Sequence, residues 1–250
     1  MFAALQRTLG IARSFALYYG VPLRARRMRR LYRQFVSPGD LCFDIGAHVG
    51  NRVACWRALG ARVVAVEPQP DFVRILNRLF GSDPNVTVLA CALGAAPGRE
   101  RLQLSLRTPT VTTLSPQWIE RVQTAESFAG VEWTLGPSVE IAMLDSLIAA
   151  HGEPAFTKVD VEGMELAVLE GLSRPLRALS FEYLPVTREI AIACVQRLGA
   201  LAEYRYNWSV GESQRLASDR WLGAGEMRQV LAGLSADAGS GDVYAVRATG

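Results

Sequence analysis

Apolar residues along this chain fall into short runs separated by stretches of helical period, and that alternation predicts an α/β protein. The runs at 41–46, 62–66 and 86–91 are short and mainly apolar, as expected of strands buried in a parallel sheet. Helical periods near 51–59 and 71–80 separate them, so this part of the chain reads βαβαβ. Residues 94–138 are rich in Thr, Ser, Gly and Pro and break the rhythm. They predict an inserted, substrate-facing segment with a strand at 100–106. The alternation then resumes with an apolar run at 139–143, a short helix at 144–150, a strand at 155–161, a helix near 164–171, a strand at 178–184 and a helix near 187–198. Two late runs, at 203–208 and 242–247, predict an antiparallel closing hairpin, and no internal repeat is found.

The N-terminus has its own pattern. Phe2, Leu5, Leu9, Ala12 and Ala16 share one face of a helix, and Leu31, Tyr32, Phe35 and Val36 form a second apolar stripe. The expected organisation is a basic helical segment at 1–36, followed by one domain at 37–250 carrying the insertion at about 94–138. Charge sharpens that boundary. Residues 1–36 hold eight arginines and no acid, so with a net charge of +3 the remainder carries 3 − 8 = −5. Solvated arginines on docking helices are the plain reading, with contact to a membrane surface or an anionic substrate as alternatives. Nucleic acid is not an expected partner, because no binding motif accompanies the basic stretch.

Composition narrows the class further. A chain of 250 residues, half of them apolar, can bury a sizeable core. No uninterrupted apolar stretch approaches the roughly 18 residues of a membrane span, and Arg7 and Arg13 interrupt the N-terminal run, unlike a secretory signal. Cys42, Cys55, Cys91 and Cys194 are scattered without metal-ligand spacing, so neither zinc nor a disulfide framework is expected. A cytoplasmic protein is the expectation.

Two runs carry candidate chemistry. In Phe43-Asp44-Ile45-Gly46-Ala47-His48-Val49-Gly50-Asn51 a strand ends in a glycine turn that opens a helix, and Glu67, followed by Pro68, ends the next strand. Gly46 permits the turn, Gly50 permits close packing of the following helix on the sheet, and backbone N–H groups at the helix start face a ligand. A carboxylate such as Glu67, at the C-terminal edge of an open sheet, can accept both hydroxyls of a ribose. Dinucleotide folds use G-x-G-x-x-G so that the backbone can approach a pyrophosphate. Here His48 occupies the second glycine's place, which favours the phosphate-free S-adenosylmethionine over NAD or FAD.

The second run is Lys158-Val159-Asp160-Val161-Glu162-Gly163-Met164-Glu165, continuing through Leu169-Glu170-Gly171. Strand alternation puts Lys158, Asp160 and Glu162 on one side. Lys158 is the only lysine against 26 arginines, which points to a need for a compact ammonium, either catalytic or in a structural pair with an acid. Glu182, in Phe181-Glu182-Tyr183, is expected at the end of the next strand, so Asp160, Glu162 and Glu182 converge. Three carboxylates suit a hard cation such as Mg²⁺, yet no ligand spacing marks a site, and a metal is not part of the expected set. His48 reads as a loop residue at the cofactor turn, with a proton acceptor as the alternative. His151 reads as a helix-end residue. Trp118, Trp133, Tyr206 and Trp208 read as core filling, with the lining of an acceptor pocket as the alternative.

Together these runs, with Val66-Glu67-Pro68, Val111-Thr112-Thr113-Leu114 and Met143-Leu144-Asp145-Ser146-Leu147, resemble the FkbM family of S-adenosylmethionine-dependent methyltransferases. The resemblance spans about 41–184, and the K-x-D-x-E-G-x-E run is its most specific part. It implies a Rossmann-like class I methyltransferase fold, a seven-stranded, mostly parallel sheet with helices on both faces. It implies methyl transfer to a hydroxyl of a small-molecule natural product or sugar, with S-adenosylhomocysteine as product. Cofactor contacts are expected from Asp44, Gly46, His48, Gly50, Asn51, Glu67, Pro68 and Asp160, and the resemblance implies Thr112 and Thr113 as substrate or cofactor contacts. Asp160, Glu162, Glu182 and Lys158 are the expected catalytic group. His48 stands where asparagine is usual. N-methylation, or a non-catalytic S-adenosylmethionine-binding partner protein, are the alternatives, and no sequence feature fixes the oligomeric state.

Overall fold

The computed structural model describes residues 2–21 and 23–248. Two helices, α1 (Phe2–Tyr19) and α2 (Arg24–Tyr32), precede β1 (Leu41–Ile45), α3 (Asn51–Ala58), β2 (Arg62–Val66), α4 (Pro70–Phe80) and β3 (Val86–Leu89). The interrupted region holds β4 (Ala92–Leu93), β5 (Gly98–Leu104), α5 (Pro116–Val122) and β6 (Thr134–Ala142). Then come α6 (Leu144–His151), β7 (Phe156–Val159), α7 (Glu165–Glu170), β8 (Ala178–Tyr183), α8 (Arg188–Gly199), β9 (Tyr204–Val210), α9 (Ala224–Ala232) and β10 (Gly241–Arg247).

The main sheet has seven strands in the order β3-β2-β1-β7-β8-β10-β9, and a small second sheet has the order β4-β6-β5. In the main sheet the pairs from β3 through to β8 are parallel, and β10 runs antiparallel to both its neighbours. The expected closing hairpin is corrected here. β9 and β10 do pair antiparallel, but α9 lies between them in the chain, and β10 inserts between β8 and β9.

Strand alternation divides the core in two. Cys42, Val63, Ala65 and Phe156 meet Met28, Tyr32, Trp56 and Leu76 of α2, α3 and α4 on one face. Phe43, Ile45, Val64 and Phe181 meet Leu144, Val168, Val195 and Met227 of α6 to α9 on the other. The central strands β1 and β7 are buried at every position, although β1 carries Asp44 and β7 carries Thr157 and Lys158. The strand order changes direction beside β1, between β2 and β7, and it is at such a switch point that open α/β sheets form a crevice.

The stripe at Leu31, Tyr32, Phe35 and Val36 is buried as its period predicts. The stripe of α1 is not. Leu9, Ala12 and Ala16 are exposed, whereas Gly10 and Ser14 are buried; the side chains of Phe2 and Leu5 lie outside the described residues. The buried face of α1 was chosen by a close backbone approach instead. A Cβ on Gly10 would sit 2.3 Å from the Leu106 carbonyl oxygen, so the helix lies against the segment at 106–109 through its smallest residue.

Candidate active site

The turn after β1 is shaped by the neighbouring strand. Gly46 has φ 85°, and a Cβ there would lie 1.9 Å from the carbonyl oxygen of Asp160, so only glycine fits. His48 follows in a left-handed conformation (φ 49°), which directs its N–H to Glu67 Oε2 at 2.8 Å, while the N–H of Gln69 donates to Oε1 at 2.8 Å. Burial pushes the Glu67 carboxyl up to about 7 despite those two donors. Each oxygen keeps a lone pair for a further hydroxyl donor.

Two more polar groups are left open at this turn. Asp44 is 1% exposed, neither of its carboxylate oxygens has a hydrogen-bond partner, and burial pushes it up to about 6. The amide nitrogen of Asn51, at the first residue of α3, is likewise buried without an acceptor. Buried polar groups normally have partners, so an unsatisfied acid and an unsatisfied donor at one strand–helix turn mark a place built for something else.

Deeper in the sheet lies a charge cluster. Lys158, fully buried on β7, donates to Asp242 Oδ1 at 2.6 Å and sits 3.3 Å from Asp160 Oδ2. Arg52, the second residue of α3, lies 3.3 Å from Asp160 Oδ2 and 3.8 Å from Asp242 Oδ2. Two cations therefore face two anions. Burial alone would lower the Lys158 pKa, but Asp160 and Asp242 outweigh it and hold the ammonium above its ordinary value. Burial alone would raise Asp160; Lys158 and Arg52 overcome this and keep the carboxylate ionised.

Glu162 adopts φ 53° just beyond β7, and its carbonyl accepts from Thr113 Oγ1 at 2.6 Å. Glu165 caps the same turn, accepting from the N–H of Val161 at 3.1 Å and from Gly163. Asp160, Glu162 and Glu182 each offer a carboxylate oxygen within 4.8 Å of the others. Burial, then the charges of its acidic neighbours, raises both Glu162 and Glu182. The three acids expected to converge do so, with one ionised beside two that hold their protons more tightly.

A cleft of about 770 Å³, part of it open to solvent, runs along these elements. Gly46, His48, Asn51, Glu67, Pro68, Asp160 and Glu162 line it, as do Thr112 and Thr113. Asp44, Gly50, Lys158 and Glu182 are not among its lining residues. The part expected of Gly50 needs correcting. A Cβ there would meet Phe80 and Leu76 at 2.5 and 2.8 Å, so what its bareness admits is α4 and not the packing of α3 on the sheet.

His48 faces α1. Its ring packs on Phe72 at a centroid distance of 4.0 Å and edge-on to Tyr18, and Nε2 lies 3.3 Å from Ser14 Oγ. Burial holds the imidazole down at about 3, too weak a base for a proton acceptor at neutral pH. His151 is the last residue of α6. Trp118 is buried against Phe128 and Trp133, while Trp208 is half-buried.

Three residues of this site are absent from the sequence reading. Asp242 has a signal, an acid opening the largely apolar run at 242–247. Arg52 had none, being one arginine among 26. Tyr18 lines the cleft from α1 and could not be placed without knowing where that helix docks.

A Rossmann-like sheet in this strand order, with an open cleft at its switch point and a carboxylate ending β2, defines a class I methyltransferase architecture. The pattern described as the methyltransferase FkbM domain matches residues 44–236, and the chain belongs to that family. A curated relative, the hexuronic acid methyltransferase AglP of Haloferax volcanii, is 28% identical over 156 residues, which is 61% of this chain and 58% of that protein. Among solved structures, a precorrin-6y C5,15-methyltransferase from Geobacter metallireducens aligns over 90% of this chain and 88% of its own at 12% identity, with a TM-score of 0.45. An S-adenosylmethionine-dependent O-methyltransferase from Thermotoga maritima aligns over 92% and 66% at 12% identity, with a TM-score of 0.44.

Proposed function

We propose that this protein transfers a methyl group from S-adenosylmethionine to a hydroxyl of a sugar or sugar acid. The observation that carries the reading is the set of open polar groups around the β1–α3 turn. Asp44, with no donor, and Asn51, with no acceptor, match the ammonium and carboxylate of an amino-acid end. Glu67, already fixed by two backbone N–H groups, matches a ribose diol. Family membership supports the cofactor, and the relative's acceptor class supports a saccharide.

The bound cofactor supplies a methyl group already activated on a sulfonium. What is left for the protein is alignment and exclusion of water, which can supply several kcal/mol. Asp160 is the ionised carboxylate on the cleft wall, so it can accept a hydrogen bond from an acceptor hydroxyl and hold its oxygen toward the methyl group, the proton leaving to solvent at the open side of the cleft. Lys158 and Arg52 keep Asp160 charged and fix its position, which makes it a better orienting acceptor than a strong base. Glu162 lines the cleft with a raised pKa and is suited to donating a hydrogen bond to the acceptor.

The test is Asp160→Asn assayed with a panel of sugars and uronic acids. We expect methyl transfer to fall at least 100-fold, the order lost when a reacting group is misplaced by about 1 Å, with S-adenosylhomocysteine affinity within a few-fold of wild type. Unchanged turnover by a folded variant would remove Asp160 from the reaction.

A further inference from the structure

The N-terminal helices present a surface that the cleft does not use. Among the described residues, five of the eight exposed large hydrophobic side chains, Leu9, Leu17, Tyr19, Val21 and Leu23, lie between residues 9 and 23. With the exposed Ala12 and Ala16, they make the outer face of α1 and the bend after it largely apolar, with Arg13 exposed among them. Such clustering on a folded surface marks an interaction site.

The neighbouring surface is cationic. Arg26, Arg27, Arg30 and Arg33 are exposed on α2 and at its end, and none pairs with an acid among the described residues. No acidic residue occurs before Asp40. Arg215 joins Arg27 and Arg30 along one shallow groove, with Asp219 at its edge. The Arg24 guanidinium donates to the carbonyl of Leu17, which ties the apolar bend to the arginine helix.

We infer that the outer face of α1, the bend at 17–23 and the arginine face of α2 together dock on an anionic phospholipid surface, with Leu17, Val21 and Leu23 entering the interface and the arginines meeting lipid phosphates. Apolar tips beside unpaired arginines are the chemistry of an interfacial anchor. A nucleic acid would use the arginines and leave the leucines without a role. No helix among the described residues is long and apolar enough to cross a membrane, so the contact is peripheral. The anchor adjoins the cleft through Tyr18, which lies between Leu17 and Tyr19 and lines it. This inference does not depend on the chemistry proposed above.

The experiment is co-sedimentation of the full chain with vesicles of phosphatidylcholine alone or mixed with phosphatidylglycerol, in about 0.1 M salt, where the Debye length is about 10 Å. Two variants accompany it, Arg26→Glu/Arg27→Glu/Arg30→Glu and Leu17→Ser/Leu23→Ser, each checked for folding by circular dichroism. These positions are exposed, so both variants are expected to fold. Wild type should partition onto anionic vesicles at least tenfold more than onto neutral ones, and each variant should lose most of that binding. The arginine component alone should weaken with salt. Equal binding to both vesicle types, wild-type binding by the variants, or binding to duplex DNA in place of vesicles would overturn the inference. So would a dimer that forms through this face and ignores vesicles.

Discussion

Glu67 carries the cofactor reading at the level of single residues, and its surroundings give a pH signature. With its carboxyl raised to about 7 by burial, the unliganded protein holds a proton there that must leave before the carboxylate can accept ribose hydroxyls. Affinity for S-adenosylmethionine should therefore weaken as pH falls through about 7, with Asp44 adding to the slope near 6. Glu67→Gln should bind more weakly at neutral pH and lose the step near 7; calorimetry across that range reads both. Lys158 makes a second prediction. Removing its ammonium as Lys158→Met leaves Asp160 and Asp242 sharing one arginine, and breaking a buried pair this way costs about 3–5 kcal/mol, readable in a urea titration. Lys158→Arg should not rescue the fold, because the side chain is fully buried and its nitrogen already sits 2.6 Å from Asp242. Rarity made Lys158 legible in the sequence, as the one lysine among many arginines. Its partner on β10 was not, since nothing in the local pattern says which distant strand will lie beside β8.

Elements were legible where burial on both faces left a short, mainly apolar run, as in β1, β2 and β8. They were less so where geometry departs from period. The stripe of α1 faces outward because Gly10, not the stripe, meets Leu106. The β9–β10 pair was foreseen but its connection was not, because an antiparallel register carries no record of the helix between the strands. Gly163 shows how elements depend on one another. Its φ is 92°, and a Cβ would fall 2.3 Å from the Trp118 ring, so the turn leading to α7 and the helix α5 meet only over glycine. Gly163→Ala combines strain with overpacking and should cost about 2–4 kcal/mol. Gly130, with φ 73° and nothing within 4 Å, isolates the strain, and Gly130→Ala should cost only about 1 kcal/mol. Equal losses in the two variants would mean that the Trp118 contact is not what fixes Gly163.

Over the whole molecule, the fold class and most of the candidate site could be read from two motifs, because each places its charged residues at the C-terminal edge of adjacent parallel strands. Less accessible was the electrostatic state of the site, which comes from burial and from residues far apart in the chain. That state predicts an unusual stability profile. Asp44, Glu67 and Glu165 have folded pKa values raised to about 6, 7 and 7. Groups raised in this way stabilise fully below their ordinary values and lose that contribution as pH rises through the folded ones. His48, lowered to about 3, acts in the opposite sense and stabilises above its ordinary value, but it is one group against three. The melting temperature of the unliganded protein should therefore fall between about pH 5 and about pH 8, and a rise over that range would contradict the assignment. The central claim, that the open polar groups around β1 and β2 are built for S-adenosylmethionine, is tested most directly by calorimetric titration of S-adenosylmethionine and S-adenosylhomocysteine into wild type and Glu67→Ala. The account predicts micromolar binding by wild type, about −8 kcal/mol, weakened at least tenfold in the variant. Absence of binding to well-folded wild type, or equal binding by the two proteins, would contradict it.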